Sequence, residues 1–140
     1  KEAYEVYYKT LYDIIKNYNN YSIVGHVDLI KRYGNYSNIL KDSLFIDIIE
    51  SILKEAIYKG KGIEINTSGF KYGIANTYPS LDIVKRYKEL GGEIITVGSD
   101  AHYTEYLADH IDFAYDILKK AGFDYVCTFR EKKPIFNKLP

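Results

Sequence analysis

Three short segments carry the residue types that hold metals and phosphates: Gly25-His26-Val27-Asp28, Glu64-Ile65-Asn66-Thr67-Ser68-Gly69 and Gly98-Ser99-Asp100-Ala101-His102. The last is the sharpest. Asp100 and His102 stand two residues apart, a spacing that lets a loop aim a carboxylate and an imidazole at one divalent ion. Gly98, Ser99 and Ala101 are small enough for the backbone to come close to whatever is bound. Each segment also has a plainer explanation. A lone Asp-x-His is common, His26 suits a hydrogen-bonded histidine at a strand end, and Asn66, Thr67 and Ser68 suit the cap of a turn. Coincidence favours chemistry, because two of the three histidines in the chain fall at equivalent points of neighbouring units. The third, His110, falls within a helical pattern and reads as structural. Lys31, Arg32 and Lys71 follow two of these segments, where cationic side chains hold an anionic substrate or else remain as solvated loop charges.

These residues need elements to position them. Residues 2–18 place Val6, Leu11, Ile14 and Ile15 at helical spacing and stop at Asn19-Asn20. Tyr21 to Val24 then reads as a short buried strand leading into the His26 loop. After the polar stretch 31–38, residues 43–60 carry an apolar stripe of Ile48, Ile49, Ile52, Leu53, Ala56 and Ile57, with Gly60 as terminator. Residues 62–66 (GIEIN) form a second strand. Ser80 is placed to cap a helix over 81–90, which Gly91-Gly92 ends. Residues 93–102 run from a third strand into the Asp100 loop. A helix expected from about Thr104 continues to Gly122, and 123–129 (FDYVCTF) is a fourth strand holding a buried Cys127. Alternating helices and strands of this kind call for a mostly parallel α/β sheet covered by helices. In such sheets chemistry gathers at the C-terminal strand ends, where the three polar segments stand.

Bulk composition narrows the partners. The 140 residues are 46% hydrophobic and 27% charged, enough for one domain with a core. Nineteen basic and nineteen acidic residues cancel, leaving no field for nucleic acid and no polybasic strip for a membrane. No apolar run approaches the ~20 residues needed to cross a bilayer. One cysteine makes no internal disulfide and fits a reducing cytoplasm. Sixteen tyrosines with no tryptophan or methionine read as compositional bias rather than as a binding surface. The absence of an initiator Met, with a helical pattern already under way at the first residues, leads us to expect part of a longer chain.

Taken together, GHVDLIKRYG, EINTSG, the block YPSLDIVKRYKELGGEIITVGSDAH and the closing GFDYVCTFREKKP resemble the second half of the histidinol-phosphatase branch of the PHP (polymerase and histidinol phosphatase) superfamily. The resemblance runs from Ser22 onward. It implies the C-terminal part of a distorted (β/α)7 TIM-like barrel with up to three divalent metal ions (Mn, Fe or Zn). The activity it implies is hydrolysis of L-histidinol phosphate to L-histidinol and phosphate in histidine biosynthesis.

By the same resemblance, His26, Asp100 and His102 are metal ligands, and Asp100 and His102 are catalytic. Asp28 positions its neighbours. Lys71, Arg32, Asn66 and Glu64 contact substrate or support those that do. Relatives often carry an arginine where this chain has Phe70-Lys71, and a lysine there lacks the planar fork that grips phosphate. The family's His-x-His motif, a ligating glutamate and a further histidine belong upstream, and no His-x-His occurs in this chain. The 140 residues alone are therefore expected to bind metal weakly, to be nearly inactive and to self-associate through exposed strand edges. Two other readings remain: a PHP phosphoesterase for another small phosphate ester or nucleotide, and a non-catalytic half-barrel. A polymerase-linked nucleic-acid module is disfavoured by the zero net charge.

Overall fold

The computed structural model describes residues 1–33 and 39–140; the end of the polar stretch after the first loop, 34–38, lies outside the described residues. Among the described residues four α-helices, α1 (Glu2–Asn17), α2 (Ile46–Tyr58), α3 (Leu81–Glu89) and α4 (Ile111–Lys120), accompany five strands. Strands β1 (Ile23–Val24), β2 (Gly62–Asn66) and β3 (Ile95–Gly98) form a parallel sheet in the order β1-β2-β3. β2 is central: Ile63 and Ile65 turn to the core, while the alternate positions carry Gly62, the half-buried Glu64 and the buried Asn66. Gly62 is required where the strands crowd: a Cβ there would sit 2.3 Å from the Ile94 carbonyl oxygen.

The core forms where α2 and α3 cover this sheet. Ile49, Ile52 and Leu53 of α2 and Ile83 and Val84 of α3 pack with Ile63, Ile65 and Ile95. Each such side chain, fully withdrawn from water, contributes roughly 1.5–3 kcal/mol. α1 packs on α2 through Tyr4, Tyr8, Leu11 and Ile15, with the Tyr4 and Phe45 rings stacked at 5.2 Å. That face differs from the one expected. Val6 and Ile14 point to solvent, because the 4-8-11-15 stripe buries tyrosine rings that the aliphatic pattern leaves out. The C-terminus of α1 is closed by Lys59, whose Nζ donates to the carbonyls of Ile15 and Lys16, both at 2.6 Å.

Two further expectations are corrected. The fourth strand, β4 (Tyr125–Arg130), does not extend the parallel ladder. It pairs antiparallel with β5 (Lys133–Lys138), a strand the sequence patterning passed over, and lies against β3. Their turn uses Glu131 and Lys132 at φ of 51° and 62°, a left-handed pair made without the usual Asn-Gly signal. The helix expected from Thr104 begins only at Ile111. A 3₁₀ turn at Thr104–Tyr106 comes first, and His110, at φ 55°, is the N-cap of α4 rather than an interior residue. Cys127 is buried in β4, as expected. Among the described residues no helix is long and apolar enough to cross a membrane.

Candidate active site

All three polar segments emerge at the C-terminal ends of β1, β2 and β3, because parallel strands in register deliver their last residues to one edge of the sheet. Glu64 is the residue they share. Its Oε2 accepts from the His26 backbone N–H at 3.3 Å and from Asn66 Nδ2 at 3.2 Å. Its Oε1 lies so near Gly98 that a Cβ there would come within 2.5 Å. Asn66 is buried, and its Oδ1 accepts from the Ser68 N–H at 3.0 Å, capping a 3₁₀ turn at Thr67–Gly69. The turn-capping role is therefore real, and both polar ends of Asn66 are engaged within the chain.

Asp100 stands at φ 50°, a left-handed conformation that costs a non-glycine residue of order 1–3 kcal/mol and aims its carboxylate back over the strand ends. Arg32, carried on a 3₁₀ turn at Leu29–Arg32, donates through one nitrogen to Asp100 Oδ2 at 3.1 Å and to Ser68 Oγ at 2.9 Å. Its guanidinium stacks 4.1 Å from the centre of the Tyr72 ring. On the other side of the carboxylate, His102 Nε2 is 3.4 Å from Asp100 Oδ1. Partial burial works against the charge on Asp100, but the bond and charge of Arg32, with His102 and His26 adding to them, hold its carboxyl below the usual range. Burial likewise opposes the Arg32 charge and is outweighed, chiefly by the same bond to Asp100. His26, at φ 32°, keeps its ring Nδ1 buried without a hydrogen-bond partner among the described residues.

The donors His26, Asp100 and His102 suit a divalent cation in kind: two imidazoles, one with an unengaged buried nitrogen, and a carboxylate held ionised. They do not suit it in number. Among the described residues no group of three or more His, Cys, Asp or Glu side chains is arranged to hold an ion.

The cations divide. Arg32 faces the site, but Lys31 turns inward, where its Nζ lies 2.6 Å from both Asp28 Oδ2 and Asp42 Oδ1. Asp28 is fully buried, and burial pushes its carboxyl up to about 6 against the pull of Lys31. Lys31 is thus engaged within the chain, and Asp28 with it. Lys71 is neither free nor aimed at Asp100: its Nζ lies 4.4, 5.2 and 5.5 Å from the ring centres of Tyr106, Tyr103 and Tyr72. These tyrosines, and Ser68 as a partner of Arg32, escaped the sequence reading. The i, i+3 spacing of Tyr103 and Tyr106 was the available signal. His110 is structural, its ring stacked on Phe70 at 4.1 Å.

Comparison with known proteins gives a consistent result. No family model matches the chain. It is 34% identical over 139 residues to the histidinol-phosphatase of Lactococcus lactis, covering 99% of this chain and 51% of that protein. It is 40% identical over 87 residues to the probable histidinol-phosphatase of Thermotoga maritima, covering 61% and 36% respectively. A crystal structure of the L. lactis histidinol phosphate phosphatase, complexed with zinc, L-histidinol and phosphate, superposes with a TM-score of 0.82 at 32% identity, over 96% of this chain and 51% of that one. The chain spans about half the length of the curated relatives it matches.

Proposed function

We propose that the chain belongs with the histidinol-phosphatases it resembles along 99% of its length, and that it supplies part of the active site of a metal-dependent phosphomonoester hydrolase acting on L-histidinol phosphate. The reading extends to a cytoplasmic enzyme of histidine biosynthesis whose β1, β2 and β3 are staves of a distorted (β/α)7 barrel. One observation carries it: His26 and Arg32, from the segment that follows β1, and Asp100, from the end of β3, meet at one edge of the sheet beside Glu64 of β2. That a relative of this sequence was crystallised with zinc, L-histidinol and phosphate supports the same substrate and a divalent ion here.

In this proposal His26, Asp100 and His102 hold up to three Mn, Fe or Zn ions together with ligands from elsewhere in the whole protein. Such ions, when bound, polarise the phosphoryl oxygens and make a water acidic enough to attack phosphorus at neutral pH. The chain's own residues do the rest. Arg32 presents a fixed planar donor to the phosphate. Asp100, kept ionised by Arg32, orients the His102 imidazole as a ligand; either side chain, once displaced from an ion, can pass the attacking water's proton to the departing alkoxide. Glu64 and Asn66, engaged with each other and with the His26 backbone, fix the ligand loops instead of touching substrate.

The test is phosphate release from L-histidinol phosphate by the whole protein with Mn²⁺ or Zn²⁺. His26→Ala and His102→Ala are each expected to lower kcat at least a hundredfold, and the 140 residues alone to release almost none. Cleavage of other phosphomonoesters with histidinol phosphate ignored would overturn the substrate, and full activity in either variant would overturn the site.

A further inference from the structure

The loop from Ser99 to His110, which carries Asp100 and His102, is built against its own backbone preferences. Asp100, Ala108 and His110 all lie at φ between 50° and 59°, and none of them is glycine. Its ties come from one short segment, residues 67–72, and from Arg32. Thr67 Oγ1 donates to the Asp109 carbonyl at 2.6 Å. Phe70 stacks on the His110 ring, nearly parallel. Ser68 shares Arg32 with Asp100. Lys71 reaches the middle of the loop, through Tyr103 and Tyr106.

We propose that Lys71 is a positioning residue that clamps the 99–110 loop, with its ammonium held between the rings of Tyr106, Tyr103 and Tyr72, so that Asp100 and His102 stay over the end of β2. An ammonium over ring faces is attracted by their quadrupoles even where, as at Tyr103, a ring remains largely exposed. The geometry sets this role against direct phosphate binding. A lysine whose charge already lies 4.4 Å from one ring centre must leave the clamp to reach an anion. The clamp itself stands on the loop geometry alone; its catalytic consequence rests on the function proposed above.

Hydrogen exchange of the whole protein separates the two roles without any activity. The reporter amides are those of Tyr106, Leu107 and Asp109, whose hydrogen bonds lie inside the loop. Lys71→Met keeps the stem and removes the charge, and is expected to speed their exchange about three- to tenfold, while Lys71→Arg stays within about twofold of the parent. Tyr106→Leu should match Lys71→Met, and the double variant should be no worse than either single one. In turnover, Lys71→Met is expected to lower kcat more than it raises KM or the inhibition constant of inorganic phosphate. Unchanged loop exchange in Lys71→Met, together with weakened phosphate inhibition and a silent Tyr106→Leu, would overturn the clamp and return Lys71 to the substrate. Altered exchange with no phosphatase activity in the parent protein would keep the clamp and reject only the enzymatic reading.

Discussion

Replacing Lys31 by Met puts the buried ion cluster to a quantitative test. Its ammonium lies 2.6 Å from two carboxylates, and the side chains of Lys31, Asp28 and Asp42 are 9%, 0% and 18% exposed. Taking away one partner of a buried pair typically costs 3–5 kcal/mol, because the other charge is left desolvated. Asp28 bears most of that penalty; the Asp42 oxygen that faces Lys31 is buried as well, but its other oxygen keeps the Ser80 hydroxyl at 2.9 Å, so about 3–5 kcal/mol is expected at pH 8.

The sign with pH follows from Asp28. Its folded pKa, about 6, already lies above the ordinary value of 3.8, so the folded state favours its protonated form, and without Lys31 that preference grows. The stability of Lys31→Met should therefore fall as pH rises from 5 to 8, and its deficit against the parent should be smallest at pH 5. Urea denaturation at both pH values, read from the midpoint at constant slope, measures this. Asp28→Asn in the Lys31→Met background removes the stranded charge and should recover at least half of the loss. A loss below about 1 kcal/mol at pH 8, or a raised KM in a fully stable variant, would mean that Lys31 serves the substrate and that the cluster is misread.

Two further outcomes follow from the packing. Gly98→Ala drives a methyl group against Glu64 Oε1 and should displace the support of His26. The expected result is a loss of Zn²⁺ affinity in the whole protein of roughly tenfold, the size seen when a ligand's outer partner is disturbed, with stability lowered by only about 1–3 kcal/mol. Cys127 is buried, and burial pushes its thiol above the ordinary value, so iodoacetamide at pH 8 should modify it far more slowly in the folded protein than in urea; equal rates would place it at the surface.

The parts of this molecule that were legible in the sequence are those governed by periodicity and by strand-end chemistry. Apolar alternation gave β1, β2 and β3 their places, and a parallel sheet then obliges His26, Glu64 and Asp100 to share an edge. What escaped depended on choices that sequence spacing does not encode. Lys31 and Arg32 are neighbours of like charge, yet a short 3₁₀ turn sends one into the interior and the other to the site. The face of α1 was misjudged because Tyr4 and Tyr8 outcompete Val6 and Ile14 for the core, a contest between ring area and aliphatic pattern. The hairpin of β4 and β5 turns on two residues in left-handed backbone with no glycine or asparagine to announce it. The late start of α4 has a similar origin, since the loop before it is fixed by contacts from residues 67–72 rather than by its own propensity.

The two kinds of strand pairing in this chain also set a timetable. In the hairpin, Arg130 faces Lys133 only three residues away, a closure that takes microseconds. In the sheet, Ile23 must find Gly62 across 39 residues and Ile63 must find Ile95 across 32. Closing such spans costs chain entropy before any contact rewards it, and parallel pairings of this kind are the slow events of folding. His26, Glu64 and Asp100 are brought together by those long pairings alone. The chain therefore finishes its hairpin early and gains its chemistry last.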